Sequence, residues 1–391
     1  MPSELNNPQS VAALWMGLAL FASLLSIRLG ISVALTEILV GVFAGNAFHI
    51  NTNEWINFLA GFGSVVLTFL AGAEVEPGVL RRRLKETVSI GIMAFVAPFF
   101  GAFLFAFLVA GWELKAAEIA GLALSTTSVA VVYAVMVETG LNETPLGKLI
   151  LAGCFVNDLG TVLVLGALFA NFNQWLIVFV VMVAPVLAFF PRFSQWFFSA
   201  FRGRASEPEI RLLFVLLFGL GGLAVASNSE AVLPAYLLGM VAAGLLGQNR
   251  VAVQRLRAIT FGLLTPFFFI RAGTLVQLSA VVSSAGLIAA LLLVKIAAKF
   301  LGVHPLTVLF RFHQREGMYT TLLFSTGLTF GTISALFGLN HGIIDREQYT
   351  VLVTVVVLSA VVPTLIAQQF FQPSVEAAEG AALPQEALDS V

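Results

Sequence analysis

Apolar runs of about 18 residues or more recur from near the N-terminus to about residue 371, each long enough to cross a hydrocarbon layer of ~30 Å. A chain of such runs is expected to be a polytopic, all-α membrane protein. The composition agrees: 59% of the residues are hydrophobic and 10% are charged, against about 25% charged in an average soluble domain. The net charge of −1 gives no sign of a nucleic-acid partner, and none is expected. The first run has no basic region before it and no small-residue cleavage site, so it reads as retained and not as a removed signal peptide.

Breaks between the runs divide the chain into about thirteen spans, starting near residues 9, 31, 56, 87, 117, 147, 174, 209, 230, 254, 280, 317 and 347. Basic residues fall in alternate loops: Arg28, Arg81 to Lys85, Lys148, Arg192 to Arg211, Arg250 to Arg257, and Arg311 with Arg315. The opposite set holds little beyond Lys115 and Arg346. Cytoplasmic loops carry the Lys/Arg excess, so the N-terminus is expected outside and the C-terminus in the cytoplasm. An odd span count admits two inverted six-helix repeats around a linker helix. ILVGVFAG (38–45) resembles YLLGMVAAG (236–244), FLAGAEVEP sits where TPFFFIRAG sits, and STTSVAVV corresponds to STGLTFGT. The expected organisation is a first half over 1–171, a linker helix and loop over 172–208, a second inverted half over 209–371, and a disordered tail over 372–391.

Three aspartates are present. Asp345 lies in a loop and Asp389 in the tail, which leaves Asp158, in GCFVNDLG, alone inside a span. An ionisable group at membrane depth is expensive and points to function; the plain alternative is an Asp that caps a broken helix or pairs with a cation. Burial makes the ionised carboxyl costly, so such an acid holds a proton or, when ionised, a small cation. Both do not fit well at once, which is the chemical basis of exchange.

Asn157 can orient that carboxylate or offer a neutral oxygen to a cation, and an interhelical hydrogen bond is an equal alternative. Cys154 lies one turn before Asp158 on the same face and reads as a small buried hydrophobe. As the sole cysteine it permits no intrachain disulfide. The fifth span carries Ser125, Thr126, Thr127 and Ser128 in a row, and the twelfth a Thr/Ser/Gly-rich run from Thr320 to Ser334. Such clusters close helix–helix packing, or they mark broken helices whose freed backbone faces an ion.

Lys295 and Lys299 lie in the eleventh span; Lys299 either snorkels to the cytoplasmic end or is a buried ammonium near Asp158. Arg271 is an anchor or the partner of an acid such as Glu74 or Glu230. Glu37 is expected to be an interior hydrogen-bonded carboxyl. No CxxC, HExxH or paired-His spacing appears and the four histidines are scattered, so haem, zinc and iron–sulfur cofactors have no support. An intramembrane aspartyl protease would need two membrane aspartates, and no enzyme is expected. A sodium-coupled organic-anion symporter on a related fold would need a roomier polar cavity, and a passive channel would need repeated filter segments.

Taken together, TEILVGVFAGN, FLAGAEVEP, TSVAVVYAVMVETG, GCFVNDLG, TPFFFIRAG and KFLG resemble, in order across nearly all of residues 9–371, the monovalent cation:proton antiporters, in their second bacterial branch of sodium/proton and potassium/proton exchangers. The resemblance implies a core domain of helices 4–6 and 11–13, with helices five and twelve broken and crossed, moving elevator-like against a dimerisation scaffold of helices 1–3 and 8–10. It implies a homodimer in the lipid of the inner membrane that carries Na⁺ (or K⁺ or Li⁺) against H⁺. It places Asp158 at the ion, with Asn157, Thr127 and Thr126 beside it, and matches Lys299 to the family's core cation better than Lys295. Ser128, Cys154, Glu74 and Arg271 would be secondary polar contacts. Electrogenic members carry Asp–Asp where this chain has Asn157–Asp158. Electroneutral members of the neighbouring branch carry Asn–Asp with a Glu five residues before the Asp, where this chain has Gly153. One titratable acid at the centre predicts one proton per cation.

Overall fold

The structure is a computed structural model that describes residues 7–29, 31–48, 50, 52–73, 83–169, 174–201, 206–226 and 232–380. The regular elements among the described residues are all helices, with no strand among them. Among the described residues, eleven helices are long and apolar enough to cross a membrane: Pro8–Leu29, Glu54–Ala73, Leu84–Leu108, Leu114–Thr139, Pro145–Leu165, Val181–Phe201, Pro208–Ala226, Val251–Thr274, Ala285–Leu309, Gln314–Leu339 and Arg346–Phe371. Two shorter apolar helices, Val33–Ala47 and Pro234–Leu246, lie where the second and ninth spans are expected. Leu24, Phe107, Phe189, Leu293 and Leu301 point outward into what would otherwise be water. Long apolar helices with apolar outer faces make this a multi-pass membrane protein.

In chain order the helices are α1 (Pro8–Leu29), α2 (Val33–Ala47), α3 (Glu54–Ala73), α4 (Leu84–Leu108), α5 (Leu114–Ser125), α6 (Val129–Thr139), α7 (Pro145–Phe169), α8 (Gln174–Phe201), α9 (Pro208–Ala226) and α10 (Val232–Gln248). They continue with α11 (Arg250–Ile259), α12 (Thr265–Thr274), α13 (Leu278–Ser283), α14 (Ala285–Leu309), α15 (Gln314–Phe324), α16 (Thr329–Asn340), α17 (Arg346–Ile366) and α18 (Val375–Gly380). A π-helical turn, Thr260–Leu264, joins α11 to α12, and another, Ala367–Phe371, extends α17.

The helices sort into two groups by what they touch. In one, α4 packs on α5, α7 and α14, α14 on α15 and α17, and α16 on α5 and α17. In the other, α2 and α3 pack on α12, α3 on α10, and α8 and α9 on α10. A narrower seam, chiefly α3 on α6 with α2 on α6 and α17, joins them. Glycines close the second group. A Cβ on Gly41 would run into the Ile270 backbone oxygen and one on Gly273 into that of Ile38; Gly72 meets the Tyr236 oxygen and Gly239 that of Phe69. Small residues let helix backbones approach this closely inside a membrane.

The tail departs from the disorder expected from Gln372: Val375–Gly380 is helical, packs on α7 and buries Ala378. Apolar burial outweighs the acidic, small-residue composition there. The rest of the tail, from 381, lies outside the described residues.

Candidate functional site

Two helices are interrupted where the hydroxyl clusters fall. Helix α5 ends at Ser125; Thr126 (φ −66°, ψ 151°) and Ser128 (φ −89°, ψ 103°) are extended, and α6 starts at Val129. Neither Pro nor Gly causes this break. Hydroxyls bond locally in place of the helix ladder: Ser125 Oγ donates to the Leu122 carbonyl (2.9 Å) and Thr126 Oγ1 to that of Ala123 (3.2 Å). Ser128 Oγ accepts from Val131 N and caps α6 (3.4 Å). The second interruption, Ser325–Leu328 between α15 and α16, uses the same device, with Thr326 Oγ1 donating to the Leu323 carbonyl (2.8 Å).

The interruptions lie against each other and satisfy each other's backbone. Ser128 N donates to the Thr326 carbonyl (3.2 Å), and Thr127 Oγ1 donates to the Phe324 carbonyl (2.8 Å). Helix α7 supplies Asn157, whose Oδ1 accepts from Thr127 N (2.9 Å) and whose Nδ2 donates to the Ser125 carbonyl (3.2 Å). From α14, Lys299 Nζ donates to the same carbonyl and to Thr127 Oγ1, both at 2.8 Å. Unpaired backbone inside a membrane is costly, and these side chains are what permit the chain to be broken here.

The structure brings Thr126, Thr127, Ser128, Asn157, Asp158 and Lys299 into one region, and geometry decides between two of the alternatives. Asn157 makes interhelical bonds. Lys299 does not snorkel: its side chain is fully buried, held at its tip by groups that only an interior position offers. Lys295, four residues earlier, is equally buried and donates to Ser359 Oγ (2.9 Å) on α17, beside Gly327 of the second interruption. Lys299 bonds the first interruption, and Lys295 lies beside the second.

Asp158 differs from its neighbours. It is 5% exposed, and its Oδ1 has no hydrogen-bond partner. No ion pair within 4.0 Å joins it to Lys299 among the described residues, although the two interact through space. Cys154, one turn away, is fully buried with a free thiol. A buried carboxylate with an open oxygen, next in sequence to the amide that bonds the first interruption and near a cation that does not touch it, can take up a proton or a small cation.

Gly153 has a steric reason. A Cβ there would lie 2.6 Å from Cζ of Phe324 at the end of α15, so the ring fills the volume an acidic side chain would need. Lys299 uses the freed carbonyl and Thr127 in place of such an acid.

Three expectations resolve differently or not at all. Arg271 Nε donates to Asn57 Oδ1 (2.6 Å), an amide partner. Glu74 and Glu230 lie outside the described residues. Glu37 is interior, 1% exposed, but its Oε2 is unbonded, against the expected hydrogen-bonded carboxyl. It shares a cavity with a second carboxylate, Glu138. Sequence reasoning missed Ser359, which with Thr354 is a polar residue in the run VLVTVVVLSAVV, and Tyr236, whose hydroxyl donates to the Leu151 carbonyl (3.1 Å) while its ring stacks on Phe155 (4.4 Å). A polar group in an apolar run was the available signal for both.

The profile of the family described as "Sodium/hydrogen exchanger, transmembrane" matches residues 16–372. Among curated relatives, the probable Na⁺/H⁺ antiporter 3 of Methanocaldococcus jannaschii is 22% identical over 87% of this chain and 89% of its own length. The Na⁺/H⁺-K⁺ antiporter GerN of Bacillus cereus is 21% identical over 86% and 89%. The solved sodium proton antiporter MjNhaP1 of Methanocaldococcus jannaschii superposes with a TM-score of 0.69 at 15% identity, covering 95% of this chain and 98% of that one, which is a likeness of fold. With the profile spanning nearly the whole membrane region and the fold shared end to end, the chain belongs to the sodium/hydrogen exchanger transmembrane family.

Proposed function

We propose that the chain is a secondary transporter that exchanges one monovalent cation, Na⁺ in the favoured reading, for one proton at Asp158. The observation that carries this reading is the open Oδ1 of a buried carboxylate at the meeting of two interrupted helices. A proton or a dehydrated cation occupies the same oxygen, and neither binds while the other is there. Asn157, Thr127 and Lys299 hold the interruptions in place, and Lys299 offsets the carboxylate's charge while the site is in transit between ligands. One acid and one exchanged charge make the cycle electroneutral.

The core group of helices would carry the site across by sliding along the seam against the scaffold group. The working form would be a homodimer in the inner membrane, N-terminus outside and C-terminus cytoplasmic, built of two six-helix halves over 1–171 and 209–371. Potassium is the second reading, favoured by the dual substrate named for GerN.

The test is proton flux in proteoliposomes, read with a pH dye on adding Na⁺, K⁺ or Li⁺ to wild type and to Asp158→Asn. Wild type should exchange, the variant should not, and the flux at fixed pH gradient should ignore membrane potential. Because the ligand oxygen must be deprotonated to bind a cation, the apparent cation KM should rise about tenfold per unit fall in pH once the proton dominates the site. A variant that exchanges like wild type removes Asp158 from the mechanism. A flux driven by voltage removes the one-for-one stoichiometry.

A further inference from the structure

Away from Asp158, a second pair of carboxylates meets across the seam. Glu37 stands on α2 of the scaffold group and Glu138 at the end of α6 of the core group. Both line one cavity of about 260 Å³, together with Ser23 of α1, Thr265 and Phe269 of α12, and Ala34. Glu37 is 1% exposed at the depth of this cavity, and its Oε2 has no hydrogen-bond partner. Glu138 is exposed, so it stands where the cavity opens. Its two oxygens accept from Val33 N at 3.0 and 2.9 Å, at the first residue of α2, where a negative charge is favoured by the helix dipole.

The charges around the pair are one-sided. Glu37 and Glu138 repel through space. The neighbouring elements offer the cavity the hydroxyls of Ser23 and Thr265, and no Lys, Arg or His lines it among the described residues. Arg28 at the end of α1, Lys148 of α7 and Arg271 of α12 are outside its lining, and Arg271 is held by Asn57. Gln368 of the α17 extension faces Ser32 N instead (3.4 Å), and Tyr349 of α17 interacts with Arg271. Two carboxylates facing one low-dielectric cavity with no counter-charge are stabilised by a single positive charge placed between them.

We propose that Glu37 and Glu138 form a second binding site for a small monovalent cation, with the proton as its competitor, at the seam between the two helix groups and separate from Asp158. The ligand would sit between the Glu37 Oε2 and the Glu138 carboxylate. Glu138 also grips the N-terminus of α2, so filling the site shares that carboxylate between the ligand and Val33 and loosens the grip of core on scaffold. The site holds whether or not Asp158 exchanges ions.

The experiment uses purified full-length Asp158→Asn in weakly buffered detergent with a pH dye, scanned across neutral pH. NaCl, KCl or LiCl is added, with choline chloride as the control. An alkali cation should displace a proton and choline should not. The release should vanish in Asp158→Asn/Glu37→Gln and in Asp158→Asn/Glu138→Gln; the latter keeps an acceptor for Val33 N. If Glu37→Gln does not fold, Glu37→Asp replaces it and should raise the half-release cation concentration severalfold. No release from Asp158→Asn, or release unchanged by either glutamate variant, overturns the site. Because the readout is binding in a variant that lacks Asp158, its failure is distinct from a failure of antiport, which the proteoliposome flux reads.

Discussion

Asn157 directs its amide at two backbone groups that the interruption after Ser125 leaves open, accepting from Thr127 N and donating to the Ser125 carbonyl. Replacing it by Ala strands Thr127 N in the interior while the Ser125 carbonyl keeps Lys299 Nζ, and a buried polar group without a partner costs about 1–3 kcal/mol. Asn157→Asp keeps the acceptor for Thr127 N but aims a second oxygen at the Ser125 carbonyl. Both variants should melt below wild type in detergent, Ala by the larger margin; an Ala variant that melts with wild type would mean the interruption does not lean on this amide. Asn157 and Asp158 stood out in the sequence because polar letters inside an apolar run are conspicuous. Their partners did not. Asn157 reaches thirty residues back to a backbone freed only by a break, and Phe324 lies against Gly153 from the other half of the chain, so neither contact has a local pattern. Ser359, the support of Lys295, is a polar letter in an apolar run, but its partner lies 64 residues away and the letter alone does not name it.

At the scale of helices, the hydroxyl runs marked both interruptions, since Ser and Thr compete with the helix ladder wherever they cluster. What the runs did not reveal is that each break is satisfied by the other. The glycines are more legible in retrospect. ILVGVFAG resembles YLLGMVAAG, and FLAGAEVEP sits in its half where TPFFFIRAG sits in the other. Gly41 of the first motif meets α12 while its counterpart Gly239 meets α3, and Gly273 meets α2 while its counterpart Gly72 meets α10. Exchanging the two halves maps one set of contacts onto the other, which supports the proposed two-half organisation. Gly41→Ala and Gly239→Ala should therefore behave alike. Each forces a methyl into a facing backbone oxygen, and overpacking of this kind costs about 1–3 kcal/mol. Gly219→Ala in α9, with nothing within 4 Å of the added carbon, is the control and should leave the melting temperature unchanged. Unequal losses at Gly41 and Gly239 would count against the equivalence.

Over the whole molecule, the proposed motion asks the seam to slide while each helix group stays rigid. The geometry suits this division, because glycine-tight contacts lie within the scaffold group and the hydrogen-bonded interruptions lie within the core group. Across the seam the contacts are sparser: Glu138 on Val33 N, Gln368 Oε1 on Ser32 N at 3.4 Å, and the Tyr236 hydroxyl on the Leu151 carbonyl. Cysteines at Ser32 and Gln368, in a Cys154→Ala background, join the groups when bridged by a short reducible cross-linker. A pair at Asn46 and Val276, which are hydrogen-bonded at 2.8 Å within the scaffold group, joins nothing that has to move. Bridging the first pair should stop cation–proton exchange in proteoliposomes and reduction should restore it, while bridging the second should leave the flux unchanged. Exchange that persists with the Ser32–Gln368 bridge closed would mean that access to Asp158 alternates by local gating within the core group and not by movement of core against scaffold.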